Sequence, residues 1–383
     1  MDVEFRGSHA FLDSSLHFAD LRGRNVLLNA ARWLVAVAGG ASAVHVHVEE
    51  VKYVPRELLE FLAYLIYPAR IELRRRAADG EGGEELEERS REYMWPFLRY
   101  SHKTGACTLC GRSRDSLGGC IAAELRDHVA RGEDLCPACM IARLFGRAAN
   151  KAAFLFYVGR EELKLGEPDA EYEDPHSFAV FKFYRHGGGR KAIDDTAVLS
   201  ACGVTVAVVG VKREVVNEEG MLHRYLSRVS GSLRGGDWRR VAETREEYLR
   251  QLVNRVKELD GVDLGDVIYQ PRGCGVVAQL SGVNAWGELE STDLDLLASS
   301  EGTNIVYVIR VDGDKFGEFS RRYKKEEELA AFKSAVAGAF EASVKSAVVY
   351  SGGDESLIAA VSKSALRIIV ALEGVRRLYQ RLG

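Results

Sequence analysis

No stretch of this sequence is apolar for long enough to cross a membrane as a helix. The longest candidate, residues 198–211, is interrupted by Ser200, Cys202, Gly203 and Thr205 and falls short of the ~20 apolar residues a bilayer requires. A secretory leader is not expected either, because Met1-Asp2-Val3-Glu4 is acidic and no apolar core follows at once. The reading is of a cytoplasmic protein. Excess positive charge is also missing: 52 Lys and Arg stand against 56 Asp and Glu, a formal net charge of −4. That balance excludes a protein that coats nucleic acid by bulk charge. Gln and Asn are scarce while Arg, Glu and Val are plentiful, a bias shared with heat-adapted proteins. No internal repeat is strong enough to name.

What is present is length and core-forming material. A chain of 383 residues suggests two to four domains, and 46% hydrophobic residues supply their cores. The most informative stretch runs from Asn304 to Val361. Asp312-Gly313-Asp314 closes the strand-like run Ile305–Ile309, and Gly352-Gly353-Asp354-Glu355 lies between the strand-like runs Ala347–Tyr350 and Leu357–Val361. Both runs are rich in β-branched residues, and a Gly-Gly pair between strands reads as a tight turn. Between the clusters, Leu329, Phe332, Val336, Phe340 and Val344 fall on one face at helical spacing, after Glu326, Glu327 and Glu328. A last helix is expected to bury Leu366, Ile369, Val370 and Leu378. If the first strand lies beside the hairpin, four carboxylates converge at one sheet end. Mg²⁺ prefers oxygen ligands, and two such ions stabilise the attacking and leaving oxygens of phosphoryl transfer. Gly313 would let a backbone carbonyl approach a metal, and Gly352-Gly353 would leave room for a triphosphate. The plainer reading is two ordinary polar turns; the occurrence of both, each on an apolar strand with a helix between, favours a metal–nucleotide site.

The second constellation is Cys107-Thr108-Leu109-Cys110-Gly111 with Cys136-Pro137-Ala138-Cys139. Two C-x2-C pairs offer four thiolates to one tetrahedral Zn²⁺, a closed and therefore structural site. Redox pairs, disulfides and unconnected cysteines are the rivals. Cys120, His102 and His128 stand in reserve as ligands, a helix through Ile121, Leu125 and Val129 fits the gap, and Cys202 and Cys274 read as core.

Elsewhere, Val3-Glu4-Phe5 opens a strand and a helix starts at Phe18. Residues 43–48 alternate as one half-buried strand with His45 and His47 on one face, and Pro55 opens a further helix. Asp79–Glu85 reads as an acidic loop, followed by a charged helix to about Met94. Residues 153–158, 178–184 and 204–211 read as strands, and 221–229 and 248–259 as helices. The loop Gly187-Gly188-Gly189, flanked by Arg185, His186, Arg190 and Lys191, suits either a phosphate or a solvated hairpin tip.

Val311-Asp312-Gly313-Asp314-Lys315-Phe316-Gly317 followed by Tyr350-Ser351-Gly352-Gly353-Asp354-Glu355 resembles the palm domain of the CRISPR polymerase family, the large subunit of type III effector complexes, and more distantly the diguanylate cyclases. Leu21-Arg22-Gly23-Arg24 is similar to that family's first palm-like domain, and the paired cysteines with Leu144-Phe145-Gly146 to its zinc region, which diguanylate cyclases normally lack. The resemblance implies an α+β architecture: a degenerate palm-like domain over 1–100, a four-cysteine zinc module over 101–150, a mixed α/β segment over 151–300, and a ferredoxin-like catalytic palm of the GGDEF and polymerase type over 301–383. It implies conversion of ATP to cyclic oligoadenylates when guide RNA, target RNA and partner subunits assemble, as part of antiviral defense. Asp312, Asp314, Asp354 and Glu355 would be the catalytic carboxylates, with Asp312, Asp354 and Glu355 on Mg²⁺ or Mn²⁺. Gly313, Ser351, Gly352 and Gly353 would line the nucleotide. A non-catalytic scaffold subunit and a stand-alone cyclic dinucleotide synthase are the alternatives. Three departures are visible. No His-Asp dipeptide occurs, so no single-stranded DNase activity is inferred; the usual Gly-Gly-Asp-Asp is Gly-Gly-Asp-Glu; and the chain reaches Gly383 without the family's last palm strand and helical C-terminal domain.

Overall fold

Val204–Val211 is an eight-residue run without a charge, and it forms a strand buried along its whole length. It lies inside a six-stranded antiparallel sheet, which explains why the run is apolar on both faces. The computed structural model describes residues 2–15, 17–44, 47–49, 51–74, 83–85, 106–112, 132–173, 179–264, 275–280, 297–298, 302–312, 335–336, 338–340, 343–352 and 355–382. Among these, no helix is long and apolar enough to cross a membrane.

The N-terminal module begins with β1 (Asp2–Arg6), α1 (Ser8–Asp13) and α2 (Phe18–Ala38). It continues through β2 (Ser42–Val44), β3 (His47–Glu49), α3 (Arg56–Leu65), β4 (Arg70–Arg74) and β5 (Gly83–Glu85). Its sheet order is β2-β3-β1-β4-β5, with every neighbouring pair antiparallel. The first strand thus lies between β3, the second hairpin strand, and β4, the strand after α3, a split β-α-β arrangement. Two expectations change here. Residues 43–48 are not one strand: Val44 pairs with His47 and Ala43 with Val48, so the chain reverses between them. An alternating pattern does not distinguish one strand from two halves of a hairpin. Gly83–Glu85 is an edge strand on β4, a place where acidic residues are tolerated because one side faces no partner strand.

The six-stranded sheet is built from β6 (Ala153–Gly159), β7 (Ala170–Glu173), β8 (Ala179–Tyr184), β9 (Ile193–Ala201), β10 (Val204–Val211) and β11 (Gly275–Leu280). Their order is β11-β6-β10-β9-β8-β7. The β9–β10 turn is Cys202-Gly203, with φ of 52° and 71°. Two consecutive positive φ values are what a type I′ hairpin demands. Cys202 is therefore a half-buried turn residue and not core. One face of this sheet, including Phe156, Phe181, Val206 and Val208, packs on the N-terminal module and on α4 (Pro137–Ala149). The other face, including Leu155, Ala207 and Val209, packs on α5 (Arg213–Val216), α6 (Met221–Gly235) and α7 (Trp238–Asp260).

The C-terminal sheet joins β12 (Val306–Val311), β13 (Lys345–Gly352) and β14 (Glu355–Val361) in the order β12-β14-β13, all antiparallel. Helical residues 335–336 and 338–340 and the closing helix α8 (Ala365–Leu382) cover one face, with Ile309, Ile358 and Ala360 below them. Leu21 of α2 packs with Val306, Leu357, Ala359 and Val361 on the other. The buried stripe of α8 is Ile368, Ala371, Val375 and Leu378. The expected stripe is corrected: Leu366, Ile369 and Val370 are exposed at 66%, 58% and 58%. Both stripes have helical spacing, and the sheet selects the one with small Ala371 at its centre. The charged segment to Met94, the helix through Ile121, Leu125 and Val129, Leu329, Phe332, Cys120, Cys274, His102 and His128 lie outside the described residues.

Candidate metal centre and the acidic sheet end

The four expected zinc ligands meet. One Sγ from each of Cys107, Cys110, Cys136 and Cys139 lies within 4.8 Å of all the others, and Cys110 and Cys136 approach to 3.4 Å. Tetrahedral Zn²⁺ with bonds of ~2.3 Å places its sulfurs roughly 3.8 Å apart, so the cluster fits such an ion, whereas a disulfide needs ~2.0 Å. All four cysteines are free.

Local chemistry builds each half. In the first knuckle, Gly111 N–H donates to Cys107 O at 2.9 Å and Cys107 N–H to Arg112 O at 2.6 Å. The loop closes because Gly111 takes φ of 70°, a value that a side chain disfavours. Thr108 N–H donates to Asp134 O at 2.7 Å, fastening this knuckle to the second pair. There Cys136 precedes α4, Pro137 opens it and Cys139 lies in its first turn. A helix N-terminus favours thiolate, against the neighbouring Cys107 sulfur and burial, which push the Cys136 and Cys139 thiols up.

Two arginines that sequence reasoning missed face the sulfurs. Arg112 Nε donates to Cys110 Sγ at 3.1 Å, and Arg24 Nη2 donates to Cys139 Sγ at 3.3 Å. Burial pushes the Arg112 guanidinium down, but the Cys136 and Cys110 thiolates more than offset this and hold it above its ordinary range. Arg112 stands two residues after Cys110, a faint signal; Arg24 belongs to the quoted Leu21-Arg22-Gly23-Arg24, but at 115 residues from Cys139 nothing local ties it to the cysteines.

Leu21-Arg22-Gly23-Arg24 thus acquires a physical account. Gly23 is where α2 crosses α4, since a Cβ there would lie 1.9 Å from Ala142 O. Arg22 donates to Ala149 O at 3.3 Å, at the carbonyl end of α4. One turn away, Arg143 grips buried Asp20 through both Nε and Nη2, at 2.5 and 2.8 Å, and also bonds Glu133.

In the C-terminal sheet, register decides where the carboxylates fall. Val311 pairs with Ser356, and Gly352 pairs with Glu355. Asp312 follows Val311 as Glu355 precedes Ser356, so the two backbones leave the ladder side by side, about 5 Å apart by antiparallel geometry. Asp312 is exposed. Ser351 and Gly352 close β13 beside them. Gly313, Asp314, Gly353 and Asp354 lie outside the described residues.

A further acidic group, His186, Asp194 and Asp195, also falls within metal-ligand spacing. Its charges are already matched: Asp195 meets Arg147 at 2.6 Å and Lys151 at 3.4 Å, and Asp194 meets Lys151 at 3.3 Å. The glycine loop between β8 and β9 is likewise committed to the fold. Lys191, Ala192 and Ile193 N–H all donate to the Asp260 carboxylate, and Arg190 Nη1 donates to Asp260 O at 2.9 Å. The three amides that follow the glycines hold a side chain of α7.

Compared with known proteins, the chain matches no family model, no curated protein and no solved structure.

Proposed function

We propose that this chain is the large subunit of a type III CRISPR RNA-guided effector complex, and that it converts ATP to cyclic oligoadenylates when target RNA binds. The observation that carries this reading is the C-terminal ladder: β12 pairs with β14, so Asp312 leaves the sheet beside Glu355 at the mouth of the β13–β14 hairpin. The order β12-β14-β13 is that of the first three strands of a ferredoxin-like palm, and β2-β3-β1-β4 in the N-terminal module repeats it with a fourth. A tetrathiolate cluster lies between the two modules in sequence, as the resemblance requires.

The donor set suits hard cations, since Asp312, Asp314, Asp354 and Glu355 offer only carboxylate oxygens, and Asp312 is exposed. Asp312, Asp314, Asp354 and Glu355 would hold divalent ions, which when bound lower the pKa of an attacking ribose 2′-hydroxyl and neutralise the departing pyrophosphate. The chain's own contribution is placement. Gly352-Gly353 would leave room for a triphosphate, and the ladder brings the backbones at Asp312 and Glu355 to one level, so that a second ATP brought alongside would gain proximity. Zn²⁺ in the cysteine cluster would hold the fold and take no part in this chemistry.

The test is mass spectrometry of products from ATP with Mg²⁺ or Mn²⁺, for the chain alone and for its co-purified complex with matching RNA. Cyclic adenylates that require RNA, and that vanish in Asp354→Ala with assembly intact, are the expected result. An assembled RNA-bound complex without product would overturn the catalytic reading in favour of a scaffold subunit. RNA-independent cyclic dinucleotides would indicate a stand-alone synthase.

A further inference from the structure

The cysteine cluster carries a charge that its own ligands do not balance. A divalent ion on four thiolates leaves two net negative charges, and Cys107, Cys136 and Cys139 are each at most 3% exposed. Burying such charge without a partner costs several kcal/mol. Arg24 and Arg112 present the converse problem: they are 1% and 6% exposed, and neither has a carboxylate partner among the described residues. Arg24 bonds Phe11 O at 2.6 Å, Ser14 Oγ and Cys139 Sγ, and its guanidinium stacks on the Phe11 ring at 4.9 Å. Its buried Nε has no hydrogen-bond partner. Arg112 bonds Cys110 Sγ and Tyr64 O and lies over the Tyr64 and Tyr67 rings at 5.0 and 5.3 Å. Two buried cations with no acid partner among the described residues therefore face a centre that needs two cations.

We propose that Arg24 and Arg112 are the counter-charges of a dianionic tetrathiolate metal centre, and that metal binding is thereby coupled to docking of the N-terminal module. The coupling follows from where the guanidiniums come from. Arg24 belongs to α2, and Arg112 reaches the carbonyl of Tyr64 in α3. Arg112 is carried by the first cysteine knuckle itself and is oriented by α3, so the metal centre is neutral only when α2 brings Arg24 into place. By linkage, whatever factor docking adds to metal affinity, the metal adds to docking. Charge matching also favours an ion that stays divalent, since a trivalent ion would leave one guanidinium unmatched. This inference rests on the cysteine cluster as a metal site and is independent of the nucleotidyl-transfer reading.

The full chain is purified metal-loaded as parent, Arg24→Gln, Arg112→Gln, Arg112→Lys and the exposed-helix control Arg234→Gln. Zinc affinity is measured by competition with a chromophoric chelator, and ligand geometry by the visible spectrum after cobalt substitution. Loss of either guanidinium is expected to weaken zinc ~10–100-fold, the range seen for partners of metal ligands. Arg112→Lys should recover part of the loss, Arg234→Gln should match parent, and the tetrahedral cobalt bands should persist. In the parent, stripping the metal should speed amide exchange in Phe18–Ala38 and leave β9 and β10 unchanged. Zinc affinities within twofold of parent in folded variants would overturn the counter-charge assignment. Exchange in α2 that ignores metal would overturn the coupling. If Arg24→Gln does not fold, the Arg112 pair and the exchange experiment on parent decide both points.

Discussion

Replacing Gly23 by alanine tests the crossing of α2 and α4 directly. In a helix interior this substitution ordinarily stabilises by ~1 kcal/mol, because alanine loses less conformational entropy than glycine. Here the added Cβ would meet Ala142 O at 1.9 Å, and Ala142 C and Gly146 N at 2.8 Å. These are backbone atoms of a packed helix, so relief requires moving α4 as a body by about an ångström. Overpacking of this kind costs ~1–3 kcal/mol, and a backbone clash belongs at the upper end. Subtracting the helix gain leaves a net loss of about 2 kcal/mol. Gly231 in α6 is the matched control: nothing lies within 4 Å of its Cβ position, so alanine there should stabilise by up to ~1 kcal/mol. Urea unfolding followed by circular dichroism and by tryptophan fluorescence, to which Trp33 of α2 contributes, gives both midpoints. Opposite signs are expected. A Gly23→Ala chain as stable as Gly231→Ala would refute the close crossing and, with it, the placement of Arg24 against Cys139.

Three further outcomes follow from the buried charges and thiols. Arg143→Met should cost ~3–5 kcal/mol, because Asp20 is left buried and unpaired, while Asp20→Leu with Arg143→Met should recover most of the loss; denaturant midpoints of both variants check this. The Asp195 carboxyl is held below the usual aspartate range: burial raises it, and Lys151 and Arg147 more than offset that. A depressed folded value means that its stabilisation is present above the unfolded pKa of about 3.9 and fades as pH falls through the folded value, so the stability gap between parent and Asp195→Asn should narrow on acidification below about pH 4. Finally, parent should carry one zinc per chain by elemental analysis, and Cys107→Ser or Cys139→Ser should lose it together with much of the thermal stability.

Much of the architecture was legible because burial leaves a local trace. The charge-free runs at 153–158 and 204–211 became central strands, and Pro55 preceded a helix as its fixed φ suggests. The cysteine pairs were legible because metal ligation needs a fixed ligand spacing. What failed was orientation. Two apolar stripes on α8 cannot be ranked without knowing which side the sheet occupies, and the alternation over 43–48 is the same for one strand or two. Asp312 and Glu355 could be named from sequence, but their adjacency depends on which strand pairs with β14, a long-range fact. Arg24 was visible only as part of Leu21-Arg22-Gly23-Arg24; its role was not, because its partner Cys139 is on another helix.

The uncharged strand β10 has a consequence for how this protein is made. Val204–Val211 is rich in β-branched residues, free of proline and uncharged, with Lys212 and Arg213 as gatekeepers at its C-terminal end alone, a composition that self-associates when it is left open. Its tight Cys202-Gly203 turn lets β9 cover one edge as soon as both strands leave the ribosome. The other edge must find β6, synthesised some fifty residues earlier. Until that long-range pairing forms, the nascent chain displays its most adhesive segment. Expression conditions that slow β6 docking, or substitutions along Ala153–Gly159, should therefore show up first as inclusion bodies, before any defect in the metal centre or at the acidic sheet end.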